Sequence, residues 1–62
     1  MLHIYIYFKS GETFLLSSDG RLYKNDFTFT QYEDYEDAHN VEMLFREENS
    51  KLMKEIERID II

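Results

Sequence analysis

The chain has 62 residues, no cysteine and no proline, and its thirteen acidic residues outnumber seven basic ones to give a formal net charge of −6. A chain this short forms one domain and buries only about 60% of its unfolded surface, which leaves little material for a substrate cleft. The missing thiols exclude disulfides and thiolate zinc sites. The apolar fraction of 44% is too high for a disordered tail, so we expect a folded domain.

The N-terminal segment alternates between two kinds of side chain. Apolar side chains stand at every second position (Leu2, Ile4, Ile6, Phe8), and histidine or tyrosine stands between them. A period of two in β-branched and aromatic residues predicts a strand. Residues 9–12 predict a turn in which Gly11 supplies a positive φ, and residues 13–17 resume the alternation. Together these segments predict a β-hairpin.

Further turn signals follow at short intervals. Residues 18–21 contain Asp-Gly, one of the strongest hairpin signals, and Leu22 and Tyr23 then predict a short third strand. Residues 27–30 alternate Phe with Thr, which favours a fourth strand. The first half therefore predicts a β-meander of three to four short antiparallel strands.

The second half changes to helical spacing. Apolar residues recur at intervals of three, four and seven (Ala38, Val41, Phe45, Leu52, Ile56, Ile59). This stripe predicts an amphipathic helix over residues 38–59, and Asp34 or Asp37 can serve as its N-cap. An alternative remains open because residues 48–50 are poor helix formers. It makes residues 41–47 and 57–62 two strands, which would leave the chain mostly β.

No repeat or flexible linker divides the chain. We therefore predict a single α+β domain over residues 1–62. Its parts are a β-meander over 1–31, an acidic aromatic junction over 32–37 and a C-terminal helix over 38–59. Because a small core is marginal alone, we also expect that the chain can form a homodimer.

The junction is the strongest candidate for a functional surface. Its six residues combine four carboxylates with two phenols (Tyr32, Glu33, Asp34, Tyr35, Glu36, Asp37). Residues 1–31 are neutral, so the whole net charge of −6 falls in residues 32–62. This composition predicts a partner-binding patch for a protein with a basic surface. The competing interpretation is a solvated helix start whose acids complement the helix dipole.

Tyrosines on the strands form a second candidate surface. Tyr5, Tyr7 and Tyr23 fall on the side of the predicted sheet that the aliphatic residues do not use. An aromatic face left exposed is a candidate contact surface. Cross-strand pairing of these tyrosines would explain them equally well.

Catalytic, metal and nucleic-acid sites are not predicted. Glu36 and His39 stand at the Glu-x-x-His spacing of di-iron helices, but one such step lacks the remaining ligands, so we expect no metal or other cofactor. The serines lie in turns, no thiol exists, and no basic stripe could follow a nucleic-acid backbone. No apolar run is long enough to cross a membrane and no leader is visible, so we expect a cytoplasmic protein. Because no catalytic motif is present, we also expect that the protein is not an enzyme.

In its size, acidity, lack of cysteine and strand-plus-helix pattern, the chain resembles the small acidic inhibitor proteins of bacteriophages, including anti-CRISPR and anti-restriction proteins. That resemblance implies an inhibitor or regulator in host–virus interaction. It would dock on a basic site of a nucleic-acid-handling or defence protein. The alternative function is a structural or assembly module that acts through homodimerisation.

Overall fold

Two glycines set the turns that pair the first three strands. The computed structural model describes all 62 residues, and in it Gly11 and Gly20 are the residues with positive φ, at 99° and 86°. They lie in the turns that join β1 (Ile4–Phe8), β2 (Thr13–Leu16) and β3 (Leu22–Tyr23). The predicted hairpin and short third strand are thus confirmed. Glycine suits both turns because it reaches this backbone region without steric cost.

The fourth strand comes from the C-terminus. Strand β4 (Ile56–Ile61) pairs antiparallel with β1, and the sheet order is β3-β2-β1-β4. The prediction of a fourth strand at residues 27–30 is wrong, because Thr28–Thr30 form a 3₁₀ turn. The backbone N–H of Phe27 donates to the Thr30 hydroxyl at 2.9 Å, and this local bond replaces a ladder bond.

The helix is shorter than the predicted span of 38–59. Helix α1 runs over Tyr35–Glu48 and ends at Asn49, whose side-chain amide donates to the Phe45 carbonyl at 3.0 Å. A 3₁₀ turn at Leu52–Glu55 then leads into β4. The alternative interpretation was right about a C-terminal strand but wrong about residues 41–47, which are helical. None of the helices has the length and apolarity that crossing a membrane requires.

Asp34 begins α1, as one of the two predicted N-caps. Its carboxylate accepts a hydrogen bond from the Asp37 backbone N–H at 2.9 Å. Two acids, Glu36 and Asp37, lie in the first turn, where they interact favourably with the helix dipole. The helix therefore starts within the acidic junction, whose residues before Tyr35 are not helical.

The hydrophobic core lies between α1 and one face of the sheet. Its seven buried members come from three strands, the junction and the helix (Ile4, Ile6, Leu16, Tyr32, Ala38, Phe45, Ile56). The alternation along β1 sends Ile4 and Ile6 to this face and Tyr5 and Tyr7 to the other. The fold is the predicted α+β class, with a four-stranded antiparallel sheet and one α-helix.

Candidate protein-interaction surfaces

The acidic junction is divided by the fold, and its first residue points inward. Tyr32 is only 6% exposed, and its hydroxyl donates to the Leu16 carbonyl at 2.9 Å. Leu2 and Tyr32 also exchange two backbone hydrogen bonds of 2.8 Å, which attach the junction to the start of β1. The Tyr32 side chain is therefore inaccessible to a partner, and its predicted partner-binding role is corrected to a core role.

Burial also affects how Tyr32 ionises. Desolvation of the phenol, together with the negative charge of Asp19, raises the pKa of Tyr32 to about 12. The neutral hydroxyl is the form that can donate to the Leu16 carbonyl. Tyr32 therefore fixes the junction against the sheet across the whole physiological pH range.

The rest of the junction lies at the surface. Its five exposed residues form what we call the acidic patch: Glu33, Asp34, Tyr35, Glu36 and Asp37. Tyr35 is 58% exposed, and its ring stacks on the His39 ring with centroids 5.7 Å apart and planes 12° from parallel. The patch thus combines four exposed carboxylates with one exposed aromatic ring, which stacks on its helix neighbour His39.

No carboxylate of the acidic patch forms a salt bridge within the chain. The five close pairs are His3–Asp26, Lys24–Glu12, His39–Glu42, Arg46–Glu42 and Arg58–Asp60. Only the positive end of α1, equivalent to roughly half an elementary charge, offsets the patch from inside the chain. Its remaining negative charge faces solvent.

His39 does not pair with the residue that the Glu-x-x-His spacing suggests. Its Nδ1 lies 3.6 Å from Oε1 of Glu42, a helix residue that is 9% exposed. The guanidinium of Arg46 holds the same carboxylate through Nε and one terminal nitrogen, at 2.9 and 2.7 Å. Glu42 and Arg46 form an ion pair beside which the His39 ring lies, and no group of three or more His, Asp or Glu side chains is arranged to hold a metal ion.

The three strand tyrosines lie on the face of the sheet opposite α1. Tyr5 and Tyr23 both stand opposite Leu15 on neighbouring strands, which places the three side chains in one row. Tyr7 stacks beside Tyr5 with centroids 6.3 Å apart, and Arg58 lies over the Tyr7 ring at 4.2 Å. Much of each tyrosine is covered by these neighbours, so cross-strand packing occupies most of this face.

Sequence reasoning missed the most exposed aromatic residues of that face. Phe27 and Phe29 are 41% and 44% exposed, and their rings stack with centroids 5.1 Å apart. Tyr23 contacts both rings edge-on, at 5.7 and 4.8 Å. We call these three residues the aromatic cluster. The Phe-Thr alternation was the available signal, but it predicted a strand and not a turn that presents both phenyl rings together.

A polar network holds the aromatic cluster in place. The Thr30 side chain is fully buried, and its hydroxyl can donate to Asp26 or to the Phe27 carbonyl. His3 Nε2 lies 3.1 Å from Asp26 Oδ2, although the two are poorly aligned for a hydrogen bond. The Thr30 hydroxyl, more than Gln31 or His3, holds the pKa of Asp26 below its usual value.

The depressions on the surface do not resemble a ligand pocket. The largest, of about 600 Å³, lies over residues 48–55, is open to solvent and has Leu52 as its one apolar lining residue. Small-molecule sites are usually concave and mostly apolar. The surface features that stand out are therefore the acidic patch and the aromatic cluster.

Comparisons with protein families, with characterised proteins and with solved structures found no match to this chain.

Proposed function

We propose that this chain is a non-enzymatic protein-binding module that docks through the acidic patch on a basic site of another protein. The observation that carries this proposal is the set of four exposed carboxylates in the same short segment as an exposed tyrosine, none of them in a salt bridge within the chain. Charged side chains left unpaired are available to a partner of opposite charge.

The geometry of Tyr35 supports this role. Stacking on His39 restricts the ring before any partner arrives, so binding would cost less side-chain entropy. Tyrosine is enriched among residues that dominate binding energy, because it offers a large apolar area with a polar tip. Carboxylates in the same segment as such an anchor would supply attraction at long range and polar contacts beside it.

The chemistry of the patch favours a particular class of partner. Sites that bind the phosphate backbone of nucleic acids are rich in Lys and Arg, and a compact group of carboxylates is complementary to them. We therefore propose an inhibitor or regulator, phage-like in type, of a nucleic-acid-handling or defence protein. Arg46, Lys51 and Lys54 interrupt the negative charge farther along the helical half, so the contact would centre on the start of α1.

The patch also stabilises the helix, and a test must separate the two roles. Each acid near a helix N-terminus contributes about 0.3–1 kcal/mol, so charge reversal would weaken the fold as well as any binding. The variant Glu33→Gln/Glu36→Gln/Asp37→Asn removes three charges with little change of shape. It leaves the capping carboxylate of Asp34 in place.

A matched control removes the same number of charges elsewhere. Glu47→Gln/Glu48→Gln/Glu55→Gln neutralises three exposed acids that also form no salt bridge, two in the last turn of α1 and one in the 3₁₀ turn after it. The net charge of the two variants is then identical. A difference in binding between them reports the position of the charges and not their number.

The experiment immobilises the wild-type chain and both variants, exposes them to bacterial lysate, and identifies retained proteins by mass spectrometry. Affinity for the purified partner is then measured at low and at high salt. We expect the control to bind like the wild type and the patch variant to bind at least about tenfold more weakly, with a steep loss in salt. Equal binding by all three chains, or no retained protein, would contradict the proposal.

A further inference from the structure

The two outer strands of the sheet differ in length. Strand β3 has two residues, whereas β4 has six (Ile56–Ile61) and pairs only with β1. An unpaired edge exposes a row of backbone donors and acceptors that another strand can join. Strand β4 therefore carries the longest open edge of this molecule.

The pairing with β1 determines which groups of β4 face outward. His3 and Ile62 exchange two backbone hydrogen bonds, of 2.8 and 3.1 Å. In an antiparallel ladder such pairs alternate, so Arg58 and Asp60 also direct their backbone groups toward β1. Ile59 and Ile61 direct theirs toward the open side, and these groups can accept a further strand.

We propose that a second copy of this chain occupies this edge. The two β4 strands pair antiparallel about a twofold axis at Ile59, and the two sheets join into one of eight strands. This proposal does not rest on the binding role of the acidic patch, although Tyr35 of the patch lines the groove beside β4. It assigns homodimerisation to the β4 edge and not to the tyrosine-bearing face or the helix.

Charge complementarity selects both the occupant and the register. With the axis at Ile59, Arg58 stands directly opposite Asp60 of the partner subunit, and this pair occurs twice. The register shifted by two residues places Asp60 opposite Asp60 of the partner subunit instead. Opposite charges across an antiparallel pair are stabilising and like charges are destabilising. Charged side chains usually block an edge, but these two complement a second copy of the same edge.

The side chains that face the partner are already in position. The Arg58 guanidinium lies 4.2 Å from the centre of the Tyr7 ring and 3.0 Å from Oδ2 of Asp60 in its own chain. Both charged groups lie on the tyrosine-bearing face, so the partner can meet them without a change of backbone. The preformed arrangement lowers the entropy that dimerisation must overcome.

An apolar contact would accompany the charge pairs on the helix side. A groove of about 370 Å³ runs between the start of α1 and β4, and Ile59 and Ile61 form part of its lining. Both isoleucines are only partly buried in the single chain. Dimerisation about Ile59 brings the two Ile59 side chains together, and it removes apolar surface from water at the centre of the interface.

The charge pair provides a test that misfolding cannot imitate. In the homodimer of Arg58→Asp, positions 58 and 60 that face each other are both acidic, and this occurs twice. In the homodimer of Asp60→Arg, the same facing positions are both basic. Each variant alone should dimerise at least about tenfold more weakly than the wild type, because two favourable pairs become unfavourable. An equimolar mixture of the two should form a heterodimer, in which both pairs are again opposite in charge.

The double variant Arg58→Asp/Asp60→Arg distinguishes the registers. It restores opposite charges about Ile59 and should recover wild-type dimerisation, whereas in the shifted register it places two arginines together. Light scattering and sedimentation over a range of concentrations measure the mass, and circular dichroism checks the fold of each chain. Monomeric wild type at every concentration would overturn the proposal and leave the edge to a strand of another protein.

A cross-link gives an independent readout, since the natural chain has no cysteine. In Ile59→Cys the two thiols lie across the twofold axis, where a Cα separation of about 5.5 Å suits a disulfide. Oxidation should yield a covalent dimer much faster than in Lys9→Cys, an exposed control position outside β4. Equal cross-linking rates would contradict the Ile59-centred edge.

Discussion

The two faces of the sheet are stabilised to very different degrees. On the helix side Ile4, Ile6 and Leu16 are completely buried, and they pack with residues of α1 and the junction. On the opposite face the strands and their ends have only two buried residues. These are Leu15, at 8% exposure, and Ser17, which directly follows β2. The comparison shows that one layer of this domain supplies the core and that the other is a surface stiffened by its own aromatic rings.

The aromatic packing explains how the uncovered face remains ordered. Rings of His3, Tyr5 and Tyr7 follow one another along β1 with centroids 5.9 and 6.3 Å apart. Such contacts contribute about 0.5–1.5 kcal/mol each beyond the area they bury. A small sheet with helix on one side can thus keep its second face regular without a second hydrophobic layer.

The largest expected effect on stability comes from comparing Ile6 and Tyr7, which are neighbours in β1 and lie on opposite faces of the sheet. Ile6→Ala opens a cavity in the core and should lower the free energy of unfolding by about 2–5 kcal/mol. Tyr7→Ala removes a ring that contacts Tyr5 and Arg58 and should cost about 1 kcal/mol. Urea unfolding followed by circular dichroism measures both variants. Equal losses would contradict the assignment of the core to one face.

A smaller effect tests the network that joins the 3₁₀ turn to the sheet. Thr30→Val keeps the shape of a buried side chain but removes the hydroxyl that bonds with Asp26 and Phe27. We expect the free energy of unfolding to fall by about 1–3 kcal/mol. Thr28→Val, at an exposed position of the same turn, is the control and should be nearly neutral. Thermal unfolding of both variants provides the measurement, and similar melting temperatures would show that the network is unimportant.

The buried tyrosine should give a pH-dependent effect. Tyr32→Phe removes the bond to the Leu16 carbonyl and should cost about 1 kcal/mol at neutral pH. Because the pKa of Tyr32 rises from 10.0 to about 12 on folding, this stability is complete below pH 10 and is lost as the pH rises toward 12. The rise in pKa corresponds to about 2.7 kcal/mol, which is more than the bond contributes at neutral pH. Unfolding free energies of both chains, measured from pH 7 to 12, should therefore cross above pH 10, and the wild type should be the less stable chain at pH 12.

The exposed tyrosine of the same junction is the control for that series. Tyr35→Phe removes a hydroxyl on a side chain that is 58% exposed, so it should change stability little at any pH. A difference between wild type and Tyr32→Phe that stays constant up to pH 12 would show that the pKa of Tyr32 is the same in the folded and the unfolded chain. The phenol would then be in contact with water, which would contradict its place in the core.

The smallest expected effect concerns the aromatic cluster. Phe27→Ser removes a ring that is 41% exposed and that stacks on Phe29, so it should cost about 0.5–1 kcal/mol. Because a ring so exposed contributes little to the core, the variant should stay folded with an unchanged urea dependence. A loss as large as that of Ile6→Ala would mean that the uncovered face is a second core.

Much of the fold followed from local chemistry. The alternation in β1 predicted which side of the strand is buried, and Gly11 and Gly20 stand at the two positive-φ positions of the predicted turns. Asp34 is one of the two predicted caps, although the helix that it caps begins at Tyr35 and not at the predicted residue 38. These features depend on neighbouring residues alone, so a linear pattern is sufficient to predict them.

The C-terminal half could not be predicted in the same way. Ile59 continues the helical stripe from Ile56 and also alternates with Ile61 at the strand period, so the pattern does not distinguish the two structures. Residues 56–61 form a strand because pairing with β1 gives them backbone hydrogen-bond partners and an apolar face. Residues 48–50 indicate where the helix ends, but no residue near 56–61 in sequence shows that β1 is the partner strand.

For the candidate site, the sequence by itself determined that four carboxylates would lie together with two tyrosines, since composition and charge are properties of the chain. Only the tertiary structure separated the tyrosines. Tyr32 lies beside Leu2 and within reach of the Leu16 carbonyl, so it became part of the core. Tyr35 lies on the first turn of α1, where the helix turns it toward solvent and His39 supports it. Burial depends on which distant backbone lies nearby, and that is decided only when the sheet has formed.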